Sequence, residues 1–291
     1  METRFIESLI AIVENGSIAG AARSQGLTPA AINQRVRVLE MEFQTPLFQR
    51  AGKTVLPTEE CLRLLPHAKE LVENASLLRN HMDETGLTVE LKIGIISTAM
   101  ASLVPDTLAS LKALAPNITV DIIPGTSTFL YDLLDRGDLD VAVLINPPFN
   151  YSKKITGLLL RSESLMFAGS KNQNLSINEA LQSQPYIRYG SNSWGGQLAD
   201  QYLRHHGISP EVFCTIDDME TSARMVASGL GVSLLPNWCG REQVAYDLSW
   251  CTIEDTTYNR DIVIMRQQGT GKEKALTVFE KALINTHQKF R

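Results

Sequence analysis

Apolar residues at helical spacing predict two short helices at the start of the chain. In the first helix, an i, i+3, i+4, i+7 pattern is formed by Phe5, Ile6, Leu9, Ile10 and Val13. Asn15 and Gly16 are typical of the end of such a helix, and Ser17 can cap a second one. The second helix is rich in alanine, and small side chains let another helix cross it at close range.

The stretch LTPAAINQRVRVLE, residues 27–40, predicts a third helix with two unlike faces. Thr28 and Pro29 are residue types preferred as the N-cap and the first helical residue. One face carries Ile32, Val36 and Leu39, and the other carries Ala30, Asn33, Gln34 and Arg37. A solvated face is usually rich in Glu and Lys, whereas alanine, amide and guanidinium groups suit a DNA major groove. Composition alone also allows an ordinary surface helix.

The residues after this helix favour the DNA interpretation. In FQTPLFQRAGKTVLPT, residues 43–58, Ala51 and Gly52 separate two extended stretches and so indicate a small hairpin. The formal net charge is −5, yet residues 28–53 contain four basic and two acidic residues. The sequence predicts a helix-turn-helix arrangement, made of an alanine-rich helix, a turn with glycine and a helix that starts with proline. Arg50 and Lys53 of the adjacent hairpin would then bind the phosphate backbone or enter the minor groove.

A leucine-bearing helical stretch runs from Thr58 towards Thr85 and is interrupted only by Pro66. Its leucines include Leu62, Leu65, Leu71, Leu77 and Leu78. Leucine repeats on a long exposed helix form either a packing face for a neighbouring domain or a dimer seam, and we prefer the seam.

Beyond Gly86, apolar runs rich in β-formers alternate with helical patterns. The order LKIGIIS, VPDTLASLKALAP, ITVDIIP, STFLYDLLDRG, LDVAVLI is typical of βαβ units around a buried parallel sheet. A second set begins after Tyr151 and includes LLLRSESLMFAGS and PYIRY. The late strand DIVIMR and a final helix from Lys272 would return to the first lobe and make it discontinuous. The sequence has no internal repeat.

Composition and motifs exclude several classes of protein. A hydrophobic fraction of 44% with 20% charged residues is typical of a soluble globular chain. Glu2, Glu7 and Glu14 interrupt the first apolar stretch, so we do not expect a secretory signal there. No apolar run approaches the roughly 18 residues of a membrane span, and we expect a cytoplasmic protein without a membrane partner. We find no GxSxG, HExxH or P-loop motif, and therefore expect neither catalytic residues nor an enzyme.

The cysteines indicate no metal or cofactor site. Cys61, Cys214, Cys239 and Cys251 are widely spaced and form no CxxC pair, which favours structural thiols. A redox switch formed by Cys239 and Cys251 is a minor alternative, because nothing near them in sequence marks a depressed thiol pKa.

Residues 16–50, GSIAGAARSQGLTPAAINQRVRVLEMEFQTPLFQR, resemble the N-terminal signature of the LysR-type transcriptional regulators. The resemblance continues through the leucine-bearing linker, LKIGIIS and ASGLGVSLLP to the end of the chain. It implies a winged helix-turn-helix domain (1–58), a linker and dimerisation helix (59–86) and a two-lobed α/β effector domain like periplasmic solute-binding proteins (87–291). Lobe I would comprise 87–161 and 264–291, and lobe II 162–263. The protein would then be a dimer or tetramer on double-stranded promoter DNA.

The resemblance assigns DNA contacts residue by residue. Recognition-helix positions are held by Pro29, Ala30, Asn33, Gln34 and Arg37, and wing positions by Arg50 and Lys53. Three residues depart from the family's habit: Asn33 replaces a common serine, Gln25 a usually apolar residue, and Cys61 a frequent glycine. Asn33 changes which base is read, Gln25 concerns local packing, and Cys61 is taken as structural.

The resemblance also assigns a small-molecule effector to a cleft between the lobes. Hydroxyls and free backbone amides there could hold a carboxylate, an amino acid or another small polar ligand. Open α/β sheets bind ligands beyond the carboxyl ends of their strands. The residues at such places are Ser97, Thr98, Thr126, Ser127, Tyr189 and Ser191. Ordinary helix caps are the alternative role for the hydroxyls of the first lobe. A solute-binding protein without DNA activity is the competing function.

Overall fold

Two units make up the structure, a computed structural model that describes residues 2–51, 54–81, 85–171, 175–190, 193–238 and 248–288. The first unit spans Met1–Glu84 and the second Thr85–Arg291. Within the described ranges, no single helix is long and apolar enough to cross a membrane, although α1 and α2 reach that length together across a bend of 118°. Those two helices are Thr3–Asn15 and Ile18–Ser24.

The predicted helix ends of the first unit are confirmed. Gly16 follows α1 in the left-handed conformation, with φ +62°, which glycine adopts without steric cost. The hydroxyl of Ser17 accepts a hydrogen bond from the amide of Gly20 and so caps α2. Thr28 caps α3 (Pro29–Phe43) in the same way, and Pro29 is its first residue.

Two small clusters form the core of the first unit. Ile32 and Val36 of α3 pack on Ile12, Ala21 and Ala22, so the alanines admit α3 at close range as expected. The second cluster joins α1 and α3 to the next helix, through Leu9, Leu39, Leu47, Cys61 and Ala68. That helix, α4, spans Glu59–His81 and contains Pro66 without a break. The predicted hairpin is β1 (Phe48–Ala51) paired antiparallel with β2 (Thr54–Pro57).

The first lobe of the second unit is a five-stranded sheet covered by helices. Its elements are β3 (Glu90–Ile96), α5 (Ser97–Leu114), β4 (Thr119–Gly125), α6 (Ser127–Asp135), β5 (Val141–Ile145), β6 (Ile155–Glu163), β12 (Arg260–Gln267) and α10 (Glu273–Gln288). The strand order is β4-β3-β5-β12-β6. The parallel sheet expected from the sequence is mixed, because β12 returns from the other lobe and runs antiparallel to both neighbours. As expected, α10 belongs to this lobe's core.

The second lobe repeats this arrangement. Its elements are β7 (Leu165–Ser170), α7 (Ile177–Ser183), β8 (Tyr186–Tyr189), α8 (Trp194–His205), β9 (Val212–Ile216), α9 (Met219–Ala227), β10 (Ser233–Pro236) and β11 (Leu248–Thr252). The two-stranded sheet β9-β8 and the three-stranded sheet β10-β7-β11 are joined by a parallel bridge between Tyr186 and Val232. The resulting order, with one antiparallel strand fourth, matches the first lobe without any repeat in sequence.

The chain changes lobe at two places that matter for the cleft. The run LLLRSESLMFAGS, grouped from sequence with the second set of elements, divides at Ser164 into the end of β6, in the sheet of the first lobe, and β7. The return passes between β11 and β12, so Arg260 and Glu163 both lie in the sheet of the first lobe. The sequence-based division had placed residues 162–263 in the second lobe.

Candidate functional site

The helix α3 presents one polar face to solvent. The five residues assigned to DNA contact on this helix, Pro29, Ala30, Asn33, Gln34 and Arg37, are all exposed. The opposite face is held down by Ile32, Val36 and Leu39, which are buried. The helix therefore offers short side chains at its N-terminal end and amide and guanidinium groups behind them, the chemistry that reads base edges in a major groove.

Arg35, although basic and on the same helix, points inward. Its Nη1 donates to the carbonyl of Arg4 (3.3 Å), the hydroxyl of Ser8 (3.0 Å) and Oε1 of Gln25 (3.4 Å). Arg35 is one of the four basic residues counted between positions 28 and 53, but its guanidinium group links α3 to α1 and to the end of α2 and is not part of the exposed face. Gln25, one of the departures from the family pattern, supplies one of these three acceptors.

Glu40 connects α3 to the hairpin, a role that the sequence did not reveal. Its Oε1 accepts the amides of Leu47 (2.8 Å) and Phe48 (3.3 Å), which fixes the start of β1. At the other end of the hairpin, the hydroxyl of Thr58 donates to the carbonyl of Pro46 (3.0 Å). The side chain of Arg50 and the whole of Lys53 lie outside the described residues, so their assignment to DNA stays a prediction.

The cysteines differ in environment. Cys61 is 0% exposed in the core between α1 and α4, and burial, followed by the charge of Glu40, raises the pKa of its thiol to about 11. A thiol with such a pKa is a small apolar side chain rather than a nucleophile. Cys251 is exposed on β11, and Cys239 lies outside the described residues, so the geometry of the suggested redox pair is not defined.

A cavity of about 290 Å³ opens where the two lobes of the second unit meet. It brings together five of the six residues expected at an effector site: Ser97, Thr98, Thr126, Ser127 and Tyr189. The sixth, Ser191, lies outside the described residues. Four further polar side chains that sequence reasoning missed also line it: Ser193, Asp217, Asp218 and Arg260.

Within the described ranges, four helices begin at this cavity. The first turns of α6, α8 and α9 are each capped by a side chain, since Thr126, Ser193 and Asp218 accept the amides of Phe129 (3.3 Å), Gly196 (3.0 Å) and Thr221 (2.7 Å). The fourth helix, α5, follows Ile96 and has no side-chain cap. Thr126 is therefore a helix cap, the alternative raised from sequence, as well as a residue of the cavity wall.

Ser127 has a structural hydrogen bond of its own. Its hydroxyl is buried and accepts the amide of Ile145 at 3.1 Å, which ties the end of β5 to the start of α6. Of the hydroxyls predicted from the first lobe, those of Ser97, which is exposed, and Thr98, which is half-buried, remain the more accessible to a ligand.

Arg260 is the central charged group of the cavity. It is 2% exposed and pairs with Glu163, its direct neighbour across β12 and β6. Both Nε and Nη2 donate to Oε2 of Glu163. Nη2 also lies 3.5 Å from Oγ1 of Thr98 in the first lobe, and Nη1 lies 3.5 Å from the hydroxyl of Tyr189 in the second. In the sequence, Arg260 could have been singled out only because it is a charged residue at the start of a predicted apolar strand.

Asp217 lies on the second-lobe side of the cavity. Burial, and then the neighbouring charge of Asp218, raises the pKa of its carboxyl, while Arg260 acts in the opposite direction. Its carboxylate sits directly against Gly190, where a Cβ atom would lie 2.4 Å from Oδ1. In the sequence, Asp217 could have been noticed because two aspartates, Asp217 and Asp218, lie between β9 and α9. A helix cap needs only one of them.

Comparison with known proteins gives matches along almost the whole chain. The family model "Bacterial regulatory helix-turn-helix protein, lysR family" matches residues 3–62, and "LysR substrate binding domain" matches residues 84–287. The transcriptional regulator ClcR of Pseudomonas putida is 24% identical over 246 residues, 81% of this chain and 83% of that protein. The transcriptional activator IlvY of Salmonella typhimurium is 24% identical over 243 residues, 81% of this chain and 82% of that protein.

Solved structures with the same fold include full-length regulators. Full-length OxyR from Pseudomonas aeruginosa aligns with a TM-score of 0.74 at 21% identity, covering 97% of this chain and 94% of that one. Full-length CbnR, solved in complex with its target DNA, aligns with a TM-score of 0.63 at 19% identity, covering 98% of this chain and 100% of that one. At these identities the likeness concerns the fold.

Proposed function

This chain belongs to the LysR family of bacterial regulatory helix-turn-helix proteins, and from that premise we propose that it reads promoter DNA through the exposed face of α3. The observation that carries the proposal is the division of α3 into a buried apolar face and an exposed face of alanine, amide and guanidinium groups. Asn33 and Gln34 can pair with adenine, and Arg37 with guanine or a phosphate. Pro29 and Ala30 allow the close approach that this requires.

The hairpin would position the protein rather than read sequence. Phosphate contacts carry no base information, and cations on a wing contribute to the affinity for every duplex. Arg50 and Lys53 occupy the wing in the sequence, and Glu40 fixes the start of its first strand through two amide hydrogen bonds. Lys53→Ala should therefore weaken binding to all duplexes about equally.

The DNA-binding role can be tested with matched arginine variants of the full chain. Arg37→Ala on α3 is compared with Arg63→Ala on α4, whose side chain is also exposed. Fluorescence anisotropy measures the affinity for the DNA upstream of the protein's own gene and for a random duplex, across a salt series. If Arg37 reads a base, its replacement should reduce the binding free energy for the upstream DNA by about 1–3 kcal/mol relative to the random duplex. If Arg37 contacts a phosphate, the slope of the logarithm of the binding constant against the logarithm of the salt concentration should fall in magnitude by about one.

The Arg63 change should leave both quantities unaltered. If the unmodified protein does not distinguish its upstream DNA from random duplex, the proposed DNA function is wrong, and a solute-binding role without DNA activity is left.

Self-association would use α4. Leu62, Leu71 and Leu78 of this helix are exposed in the first unit, and exposed leucines spaced along one helix are typical of a helix–helix seam. We expect Leu71→Glu with Leu78→Glu to lower the molar mass measured by light scattering, whereas Leu175→Glu, an exposed leucine of the second unit, should not. An unchanged mass in the double variant would exclude α4 as the seam.

The cavity of the second unit would bind the effector, a small molecule with a carboxylate. A ligand that prefers one arrangement of the two lobes shifts the population towards it by its difference in affinity, which is how binding there would regulate DNA recognition. Ligand binding to the native state also raises the melting temperature by mass action, so a thermal-shift screen of small carboxylates measures it directly. Thr98→Val should lower the response to the best ligand.

A further inference from the structure

Charges in the cavity are arranged unevenly between the two lobes. On the first-lobe side, Arg260 and Arg161 share the single carboxylate of Glu163, which leaves that side with a surplus of positive charge. On the second-lobe side, Asp218 uses its carboxylate to cap α9, but Asp217 has no ion pair among the residues that the structure describes. The second-lobe side therefore carries a carboxylate that no described cation contacts, and Arg260 acts on it only as a more distant charge.

The opposite side of the cavity has an open positive end. The first-turn amides of a helix need acceptors and carry a partial positive charge. Three of the four helices that begin here supply an acceptor from their own cap residue, whereas α5, which starts at Ser97 after Ile96, does not. The hydroxyl of Thr98 and the guanidinium of Arg260, 3.5 Å apart, lie at this same end. Together these groups suit a carboxylate.

Ligands with a single kind of charge fit this arrangement poorly. A dicarboxylate would bring its second negative charge towards Asp217, whose pKa is already raised by burial and by Asp218. A simple amine would meet Arg260 and the start of α5. Apolar contacts for a short side chain come from Ile96, Pro124, Ile145 and Met219.

We propose that the cleft selects a zwitterion, an α-amino acid with a small side chain, whose carboxylate binds at the start of α5 and whose ammonium group pairs with Asp217. The volume of about 290 Å³ lies at the small end of the range of ligand pockets, which agrees with a ligand of this size. The inference rests on the proposed effector role of the same cavity and adds the chemical class of the ligand. It makes Asp217 the residue that determines specificity.

The test uses the full chain and a panel of the common L-amino acids. The amino acid that most raises the melting temperature is then compared, by isothermal titration calorimetry, with its 2-hydroxy acid and with its decarboxylated amine. Charge-assisted hydrogen bonds imply that loss of the ammonium group weakens binding roughly tenfold or more. Asp217→Asn should lower the affinity for the amino acid by a similar factor. The affinities of this variant for the amino acid and for the hydroxy acid should therefore differ less than those of the unmodified protein.

A matched control separates this effect from a general loss of negative charge. Glu220→Gln removes an exposed carboxylate from the first turn of α9 and should leave the affinity unchanged. Trp238 and Trp250, in the second lobe, report by fluorescence that the Asp217 variant is folded.

Three outcomes would overturn the inference. Binding of hydroxy acids or dicarboxylates as tightly as the amino acid, or an unchanged affinity in Asp217→Asn, would refute ammonium recognition and leave the cavity as an effector site for plain carboxylates. Binding of no member of a panel that also includes these carboxylates would overturn it together with the proposed effector site, while the DNA-binding role would still be judged by the anisotropy measurements.

Discussion

Ser8 donates a 2.8 Å hydrogen bond to Oε1 of Gln25, and the same pair of side chains receives Nη1 of Arg35. These three residues come from α1, from the end of α2 and from α3, so a polar link joins the helices at the side of their apolar core. Ser8 is buried, and an unsatisfied buried hydroxyl is costly. The orientation of α3 thus depends in part on a glutamine at a position where the family resemblance leads one to expect an apolar residue.

Gln25→Ala should destabilise the first unit by about 1 kcal/mol, because it removes an acceptor shared by Ser8 and Arg35, while the carbonyl of Arg4, 3.0 Å from Oγ of Ser8, can still accept the hydroxyl. All three tryptophans lie in the second unit, so tryptophan fluorescence follows that unit and far-UV circular dichroism follows both. Urea titration should show an earlier loss of helical signal with an unchanged fluorescence transition. A fluorescence transition that shifts equally would contradict the assignment of the effect to the first unit.

Gln34→Ala should behave in the opposite way. Gln34 is exposed on α3, and substitution of an exposed residue changes stability by no more than about 0.5 kcal/mol. Loss of a bidentate base contact should instead cost about 1–3 kcal/mol of discrimination at one operator position. Binding to a set of single-base operator variants measures this. If the Gln34 change weakened binding to every duplex equally, Gln34 would contact the DNA phosphate backbone and not a base.

Arg260→Ala should destabilise the second unit by about 3–5 kcal/mol, since it leaves the buried carboxylate of Glu163 without its main partner. Arg161, whose Nε lies 3.2 Å from the other oxygen of Glu163, places the expected cost at the lower end of that range. Arg224→Ala, which breaks an exposed i,i+4 pair with Glu220, should cost less than about 1 kcal/mol. Tryptophan fluorescence during urea titration compares the two, and similar costs would contradict the structural role of Arg260.

Cys61 should be inert in the native protein. With a pKa of about 11 and no exposed surface, its thiolate amounts to about one molecule in a thousand at pH 8, even before access is considered. Iodoacetamide labelling followed by peptide mass spectrometry should modify the exposed Cys251 in the native state and Cys61 only after unfolding. Raising the pH towards 11 should accelerate labelling of Cys61. Fast native labelling of Cys61 at pH 8 would show that the core around it opens.

The sequence alone determined the local features of this protein. The ends of α1, α2 and α3 follow from Gly16, Ser17, Thr28 and Pro29, because capping and left-handed backbone depend on residues a few positions apart. The two faces of α3 and the hairpin follow from periodicity for the same reason. Residues that end strands predicted most of the cavity wall in the first lobe, since the carboxyl ends of strands in such sheets lie together.

Only the tertiary structure decided which charges meet in the cleft. Arg260 and Glu163 are 97 residues apart in sequence and become neighbours because the chain crosses between lobes twice. No local pattern encodes that pairing, and none marks Asp217 as lining the same cavity as Thr98. The inward turn of Arg35 was equally hidden, since periodicity assigns a residue to a face of a helix but not to the partner that its long side chain reaches. The sequence therefore indicates which elements carry polar and charged side chains, while packing between distant segments decides which of those side chains come into contact.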